Sequence, residues 1–300
     1  MARIALKVDV DTLRGTREGV PRLLDIFARV DVTATFLFSL GPDHTGWALR
    51  RMFRPGFFAK VSRTSVLRHY GLRTLAYGVL VPGPDIGRRA AGPMRAARDA
   101  GHECGIHAWD HVLWQDNVRA QPAAWSRRQM GLAFARFHDI FGQAPATHGA
   151  AGWQMNEAAW RQIDEWGMAY ASDGRGAGPC IPTLNGAPLA HVQLPTTLPT
   201  MDELIGLDDV DEQNVARSLL DRSDGNGDHV FTLHAELEGG LLAPALTTLL
   251  AGWRAQGHEL GSLASMYERV QNHTLPLAEV RWGQVPGRSG EVIVSMPGSS

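Results

Sequence analysis

A chain of 300 residues that is 44% hydrophobic and 20% charged can bury a substantial core, as one large α/β domain or two small ones. Its formal net charge of −2 excludes wholesale nucleic-acid binding, which requires a strongly basic balance. Two cysteines in unrelated contexts, Cys104 and Cys180, exclude a disulfide framework and a CxxC metal site.

The first residues alternate strictly: Ile4, Leu6, Val8 and Val10 on one face, Ala5, Lys7, Asp9 and Asp11 on the other. That pattern predicts a strand ending at Thr12-Leu13-Arg14-Gly15. No long apolar run precedes it, so no signal peptide is expected, and no stretch reaches the ~20 apolar residues of a membrane span. A cytoplasmic protein is the expectation, with peripheral membrane attachment open. Val20, Leu23, Leu24 and Phe27 predict a helix, and Val32 to Phe38 a second strand.

Residues 44–84 interrupt this pattern. They contain Arg50, Arg51, Arg54, Lys60, Arg63, Arg68 and Arg73 and no acid, interleaved with Trp47, Phe53, Phe57, Phe58, Tyr70 and Tyr77. Basic and large apolar side chains together suit an element lying on an anionic lipid surface. A helical hairpin packing its apolar face onto the domain is the alternative. The absence of acids in a chain holding 31 of them favours the lipid surface.

Beyond the insertion, Asp85 to Ala100 reads as a helix and Glu103 to His107 as a strand. Helices follow over about 123–141 and 156–166, then strands at Met168 to Ala171 and Val230 to His234, then a helix from Ala243 to Gln256. Strands alternating with helices predict βα units and a mainly parallel sheet or barrel. The expected organisation is one catalytic domain over residues 1–280, with the insertion at 44–84, and a tail, 281–300, of unassigned structure.

Asp9 and Asp11 lie two apart on the first strand, so both carboxylates share a face at its C-terminal end, where α/β folds build their sites. Two acids crowded there repel each other unless a cation sits between them. Capping of the next helix is the plain alternative for this pair alone. His107-Ala108-Trp109-Asp110-His111 places two histidines at i and i+4, which on a helix share one face and bind one metal. This pair also follows a strand. Two imidazoles and one carboxylate leave open positions for water and substrate and suit a divalent first-row ion, with Asp9 free to act as base. His234, again at a strand end, is the residue type that protonates a departing amine near neutral pH.

A strand ending in Asp-x-Asp, then H-x-x-x-H, then a late strand ending in Leu-His resembles the polysaccharide deacetylase family. The stretches DVDTLRGTREGVPRLL, HAWDH, AAGW, SDGRG, LPTTLPTMDELIG and TLHAELEG are more closely similar to its bacterial deformylases of a lipid-linked formamido sugar. The similarity covers most of the chain and fades after about residue 280. It implies an α/β fold, an irregular (β/α) barrel, and hydrolysis of an N-formyl group from 4-amino-arabinose carried on undecaprenyl phosphate. The free amino sugar would go on to lipid A and polymyxin resistance. It further implies Asp9 as base, His234 as general acid, and Asp11, His107 and His111 as ligands of one divalent ion: zinc, cobalt, manganese or iron. Ala151, Gly152 and Trp153 fall where the family binds the oxyanion or substrate, and Asp173 where an acid supports the acid histidine. The implied partners are the lipid-linked sugar and an anionic membrane surface, at the cytoplasmic face of the bacterial inner membrane.

The pattern departs from the wider family in two places. The usual adjacent acids are spaced here as Asp9-Val10-Asp11. The arginine that braces the base in the third motif is missing, with His148 near its place. Arg14, Arg17 and Arg175 are the expected substitutes, either bracing Asp9 or meeting the substrate phosphate. Glu236 is expected to hydrogen-bond the sugar or its amino product, and Glu238 to be a loop charge. A deacetylase of an N-acetylated glycan would leave the basic-apolar insertion unexplained. A non-haem iron oxygenase would show H-x-D with a distant histidine. A non-catalytic sugar- or membrane-binding module would need neither base nor acid.

Overall fold

The alternation at the N-terminus is realised as a strand with both faces covered. The computed structural model describes residues 1–48 and 73–297. In chain order its strands are β1 (Arg3–Val10), β2 (Thr35–Ser39), β3 (Glu103–Ala108), β4 (Tyr170–Ala171), β5 (Ile181–Leu184), β6 (Ala187–Pro188), β7 (Val192–Gln193), β8 (His229–His234), β9 (Glu259–Gly261), β10 (Leu277–Gln284) and β11 (Glu291–Pro297). The helices are α1 (Val20–Arg29), α2 (Ile86–Asp99), α3 (His111–Asn117), α4 (Ala123–Phe141), α5 (Glu157–Glu165), α6 (Met201–Leu204), α7 (Val215–Arg222), α8 (Ala243–Ala255) and α9 (Leu263–Val270).

Strands β3, β2, β1 and β8 pair in that order, all parallel, with β9 joining the start of β1. Hydrogen bonds carry the sheet onward into a ring. Ile106 donates to the Thr147 carbonyl (3.1 Å), Ser172 to His148 (2.8 Å), Leu194 to Ala171 (2.8 Å) and Thr197 to Val230 of β8 (3.0 Å). The result is an irregular α/β barrel, broken where segments 147–149 and 196–198 are too short to be regular strands. Ile4, Leu6, Val8 and Val10 point outward into the main apolar layer, where they meet Leu23 and Phe27 of α1, Met94 of α2, Phe137 of α4 and Trp253 of α8. Ala5, Lys7 and Asp9 point inward. The expected helices form, with ends shifted by a residue or two; β2 starts three residues later than periodicity suggested, and β4 is shorter.

Helix α2 explains one arginine. Pro93 lacks the N–H that would bond the Arg89 carbonyl, and the helix departs from helical backbone at Ala90. The Arg17 guanidinium donates to that released carbonyl at 3.0 Å. Arg17 therefore mends a helix rather than bracing Asp9.

The tail is structured. Strands β10 and β11 form an antiparallel hairpin that pairs with β5, and a domain limit at 280 would fall inside β10. Periodicity was weak there because β10 is mostly half-exposed or exposed. Of the insertion, residues 49–72 lie outside the described residues, and with them all its basic residues except Arg73. Its two stems are tied together: Trp47 stacks on His44 (3.9 Å, 11°) and donates to the Gly78 carbonyl (2.7 Å), and Gly46 donates to Tyr77 (3.0 Å). Among the described residues no helix is long and apolar enough to cross a membrane.

The hairpin is locked to the barrel by buried charge. Arg175 grips Glu203 through one nitrogen at 2.7 and 2.9 Å, and Arg288 from the β10–β11 turn reaches the same carboxylate at 3.3 Å. Backbone bonds from Arg175 to Ile293 (2.9 Å) and from Ser295 to Arg175 (2.7 Å) complete the join. Glu203→Ala leaves two largely buried guanidiniums uncompensated and should destabilise the fold by about 3–5 kcal/mol, read as a lowered urea midpoint.

Candidate metal centre

Strand ends assemble the site. β1 carries Lys7 and Asp9, and Asp11 follows directly; β3 carries His107; β8 carries His234, in register with Asp9. The two histidines of H-x-x-x-H do not share a helix, as their spacing suggested. Asp110 adopts extended backbone and caps α3 by accepting the Leu113 N–H (3.0 Å), so the helix begins at His111 while His107 remains in β3. His44 donates through Nδ1 to the other Asp110 oxygen at 2.5 Å and holds this turn. The His107 and His111 rings still converge, with centroids 5.2 Å apart.

Asp11 Oδ1 lies 3.2 Å from His107 Nε2, and Asp11 Oδ2 lies 3.4 Å from His111 Nε2. His107 donates its Nδ1 proton to the Gly149 carbonyl at 2.6 Å, which fixes the tautomer and turns the Nε2 lone pair toward Asp11. Below them, Glu236 Oε1 accepts from the Asp11 N–H (3.1 Å), the Thr12 N–H (2.8 Å) and the Thr12 hydroxyl (2.7 Å). A Cβ on Gly15 would fall 1.9 Å from that oxygen, so any larger residue there must displace the Glu236 carboxylate.

The charges are unbalanced. Burial raises Asp11, but His111 and His107 outweigh it and hold the carboxyl far below the usual range. Burial lowers His107, and Asp9 and Asp11 reverse the sign. Glu236, desolvated and facing Asp11, is pushed up to about 8. Asp9 Oδ1 and Asp11 Oδ1 are buried without a hydrogen-bond partner. Asp11, His107 and His111 offer ligand atoms all within 4.8 Å of one another. This donor set fits one divalent first-row ion.

The other expected residues divide. His234 stands across β1 from the ligands, its Nδ1 4.0 Å from Asp202. Asp173 does not face it: it accepts from His148 Nδ1 (2.6 Å) and Gln193 (2.8 Å), deep in the barrel wall. Arg14 pairs with Glu18 at 2.9 Å, and Arg175 is held by Glu203 and the Thr196 and Leu198 carbonyls. Neither takes the bracing place beside Asp9. Ala151, Gly152 and Trp153 form a tight turn, with Gly152 at φ 62° and Trp153 at φ 54°. The Trp153 amide donates to Ala150 (3.0 Å) and its ring is buried inside the barrel, so it does not offer that amide to an oxyanion. Glu236 supports Asp11 instead of reaching outward. Glu238 lies in the turn after β8 as expected but is fully buried rather than solvated, and accepts the His234 N–H at 2.7 Å.

Two residues escaped the sequence reading. Lys7, fully buried, sits 3.3 Å from Asp9 Oδ2; its signal was a cation in mid-strand, two residues before Asp9 on the same face. Asp202 lies in the LPTTLPTMDELIG stretch, and only the fold brings it to His234.

A fold of this kind with this donor set defines a class: an amide hydrolase of the polysaccharide deacetylase fold. No protein-family model matches the chain. Solved structures similar to it include a polysaccharide deacetylase from Mycobacterium smegmatis (17% identity, 95% of each chain, TM-score 0.64). Another is the PuuE allantoinase (18% identity, 91% of this chain and 93% of that one, TM-score 0.58). These likenesses establish the fold alone. Over 97% of its length the chain is 36% identical to a protein of Shewanella sediminis named as a 4-deoxy-4-formamido-L-arabinose-phosphoundecaprenol deformylase, ArnD, of which it covers 93%. A protein of the same name from Wigglesworthia glossinidia brevipalpis is 29% identical over 92% of the chain and 96% of the relative. The chain belongs to this deformylase family.

Two substitutions test the centre by metal content. His107→Ala should abolish stoichiometric metal in the purified protein. Gly15→Ala should displace Glu236 and weaken metal affinity by roughly 10–100-fold, as losing a ligand's support does; metal titration reads both.

Proposed function

We propose that the protein hydrolyses the N-formyl group of 4-deoxy-4-formamido-L-arabinose carried on undecaprenyl phosphate, releasing formate and the 4-amino sugar lipid that serves lipid A modification. The observation that carries the reading is the register of Asp9 against His234 across β1 and β8, beside the His107–His111–Asp11 group, in a chain 36% identical to a named deformylase. The resident ion would be zinc, cobalt, manganese or iron, all compatible with two imidazoles and a carboxylate. When bound, it supplies Lewis-acid polarisation of the formyl oxygen and a lowered water pKa.

The chain's own groups supply the proton transfers. Asp9 presents Oδ1, buried and unpartnered, to take the proton of the attacking water. The water oxygen bonds the formyl carbon, the C–N bond breaks, and His234 delivers a proton to the sugar nitrogen. His234 is suited to this. Burial would lower it, but Asp202, Asp11, Glu238 and Asp9 push it up to about 9, so it is protonated at neutral pH.

The lipid-linked substrate calls for a protein that meets the membrane at its cytoplasmic face. Support comes from the described end of the insertion, where Val79, Leu80 and Val81 are 53%, 82% and 45% exposed in one run. The whole 44–84 segment adds seven basic residues and no acid.

Three measurements test this reading. Purified, metal-loaded protein offered the formamido-arabinose lipid and N-acetylated glycans should release formate from the first and no acetate from the second; the reverse would assign it to glycan deacetylation. The alkaline limb of kcat/KM should lie near pH 9, since activity falls as His234 loses its proton, and Asp202→Asn should move that limb toward neutrality. Leu80→Glu should reduce sedimentation with anionic vesicles while leaving turnover of a short-chain soluble analogue unchanged.

A further inference from the structure

Lys7 is the fully buried cation on the inward face of β1; Arg3, on the same face at the start of the strand, is partly exposed and paired with Glu259. The Lys7 side chain has no exposed surface, lies on a strand that ordinary packing would fill with valine or alanine, and its Nζ makes no hydrogen bond. Burying an ammonium costs several kcal/mol unless an anion compensates it. The compensating anion is Asp9, whose Oδ2 lies 3.3 Å from Nζ. The face of Trp153 covers the ammonium, 5.3 Å from Nζ to the ring centre. That ring is held by its indole N–H to Thr196 (3.2 Å) and by a backbone at φ 54°, a conformation non-glycine residues adopt at a cost. Gly149 is required chiefly by Leu37, whose Cδ1 a Cβ there would meet at 2.2 Å, and it also leaves room for the Lys7 stem at 3.0 Å. Asp9 and Trp153 are thus the two groups set against the ammonium.

We infer that Lys7 is the positioning residue of the reaction, holding Asp9 by Oδ2 so that Oδ1 alone faces the reacting water. The inference rests on Asp9 acting as the base. A carboxylate free to rotate would present either oxygen; as held, its Oδ1 lies 3.7 Å from His107 Nδ1, on the side of that ring turned away from Asp11. With Oδ2 held, the carboxylate cannot add itself to the ligand set of Asp11, His107 and His111. Lys7 does not itself touch substrate: Trp153 closes it off, and it is wholly buried.

The test uses Lys7→Met, which keeps the volume and removes the charge, and Lys7→Arg, which keeps the charge, both as full-length, metal-loaded protein beside Asp9→Asn. Formate release from a soluble formamido-sugar analogue is measured with bound metal and KM. Lys7→Met should lose roughly 10–100-fold in kcat with KM and metal content held, and Lys7→Arg should recover most of it. Should Lys7→Met fail to fold, Lys7→Gln takes its place. Wild-type kcat in Lys7→Met, or loss of metal in step with rate, overturns the inference, as does a Lys7→Arg no faster than Lys7→Met. If Asp9→Asn is inactive while Lys7→Met is not, only the role of Lys7 falls. If Asp9→Asn turns over normally, the assignment of the base falls first.

Discussion

Three carboxylates are buried together at the end of β1, two from that strand end and one from the turn after β8, and the rest of the molecule is arranged around their mutual repulsion. Asp9, Asp11 and Glu236 are buried in the barrel mouth, where close like charges cost several kcal/mol unless compensated. Each is compensated differently. Asp9 has Lys7. Asp11 has two imidazoles and the place for an ion between them. Glu236 is pushed toward its neutral form and serves through three hydrogen bonds to the β1 turn. A single fold element could not do this; the cation, the imidazoles and the supporting acid come from β1, β3, α3 and the turn after β8, which only a closed ring brings together.

The same view explains the far side of the barrel. Trp153 lies against Lys7, Arg175 and Arg288, with guanidinium carbons 5.0 and 4.4 Å from its ring centre. Arg175 and Arg288 share Glu203, next in sequence to Asp202, the carboxylate that faces His234. The C-terminal hairpin is therefore not an appendage. Through Arg288 it contributes to the wall against which the active side chains are set.

Much of this was legible in the sequence, and the illegible part has a common cause. Strand and helix positions follow local periodicity, and β1, α2, α4 and α8 were readable from it. Asp9, Asp11, His107 and His234 stand at strand ends, which chain order alone reveals. What periodicity cannot give is the partner of a side chain across the barrel. Asp173 was paired on paper with the acid histidine but meets His148; Asp202, 32 residues before His234, takes that place. Arg175 looked free for a phosphate and is bound within the wall. The i,i+4 histidines looked helical because spacing is silent about the cap at Asp110, which starts the helix at His111 and leaves His107 in β3. Lys7 was visible throughout, yet a lysine in a strand reads as solvated until both faces are known to be covered.

That Lys7, Asp9 and Asp11 share the inward side of one strand bears on how the chain finds its structure. Side chains alternate with a period of two, so sliding β1 by a single residue against β2 and β8 would drive all three charges into the apolar layer with Leu23, Phe27 and Trp253, and turn Leu6, Val8 and Val10 toward the mouth. Each misplaced ion would cost several kcal/mol. The residues that equip the strand for chemistry also penalise a slipped pairing, so the native register is strongly favoured over its one-residue neighbours.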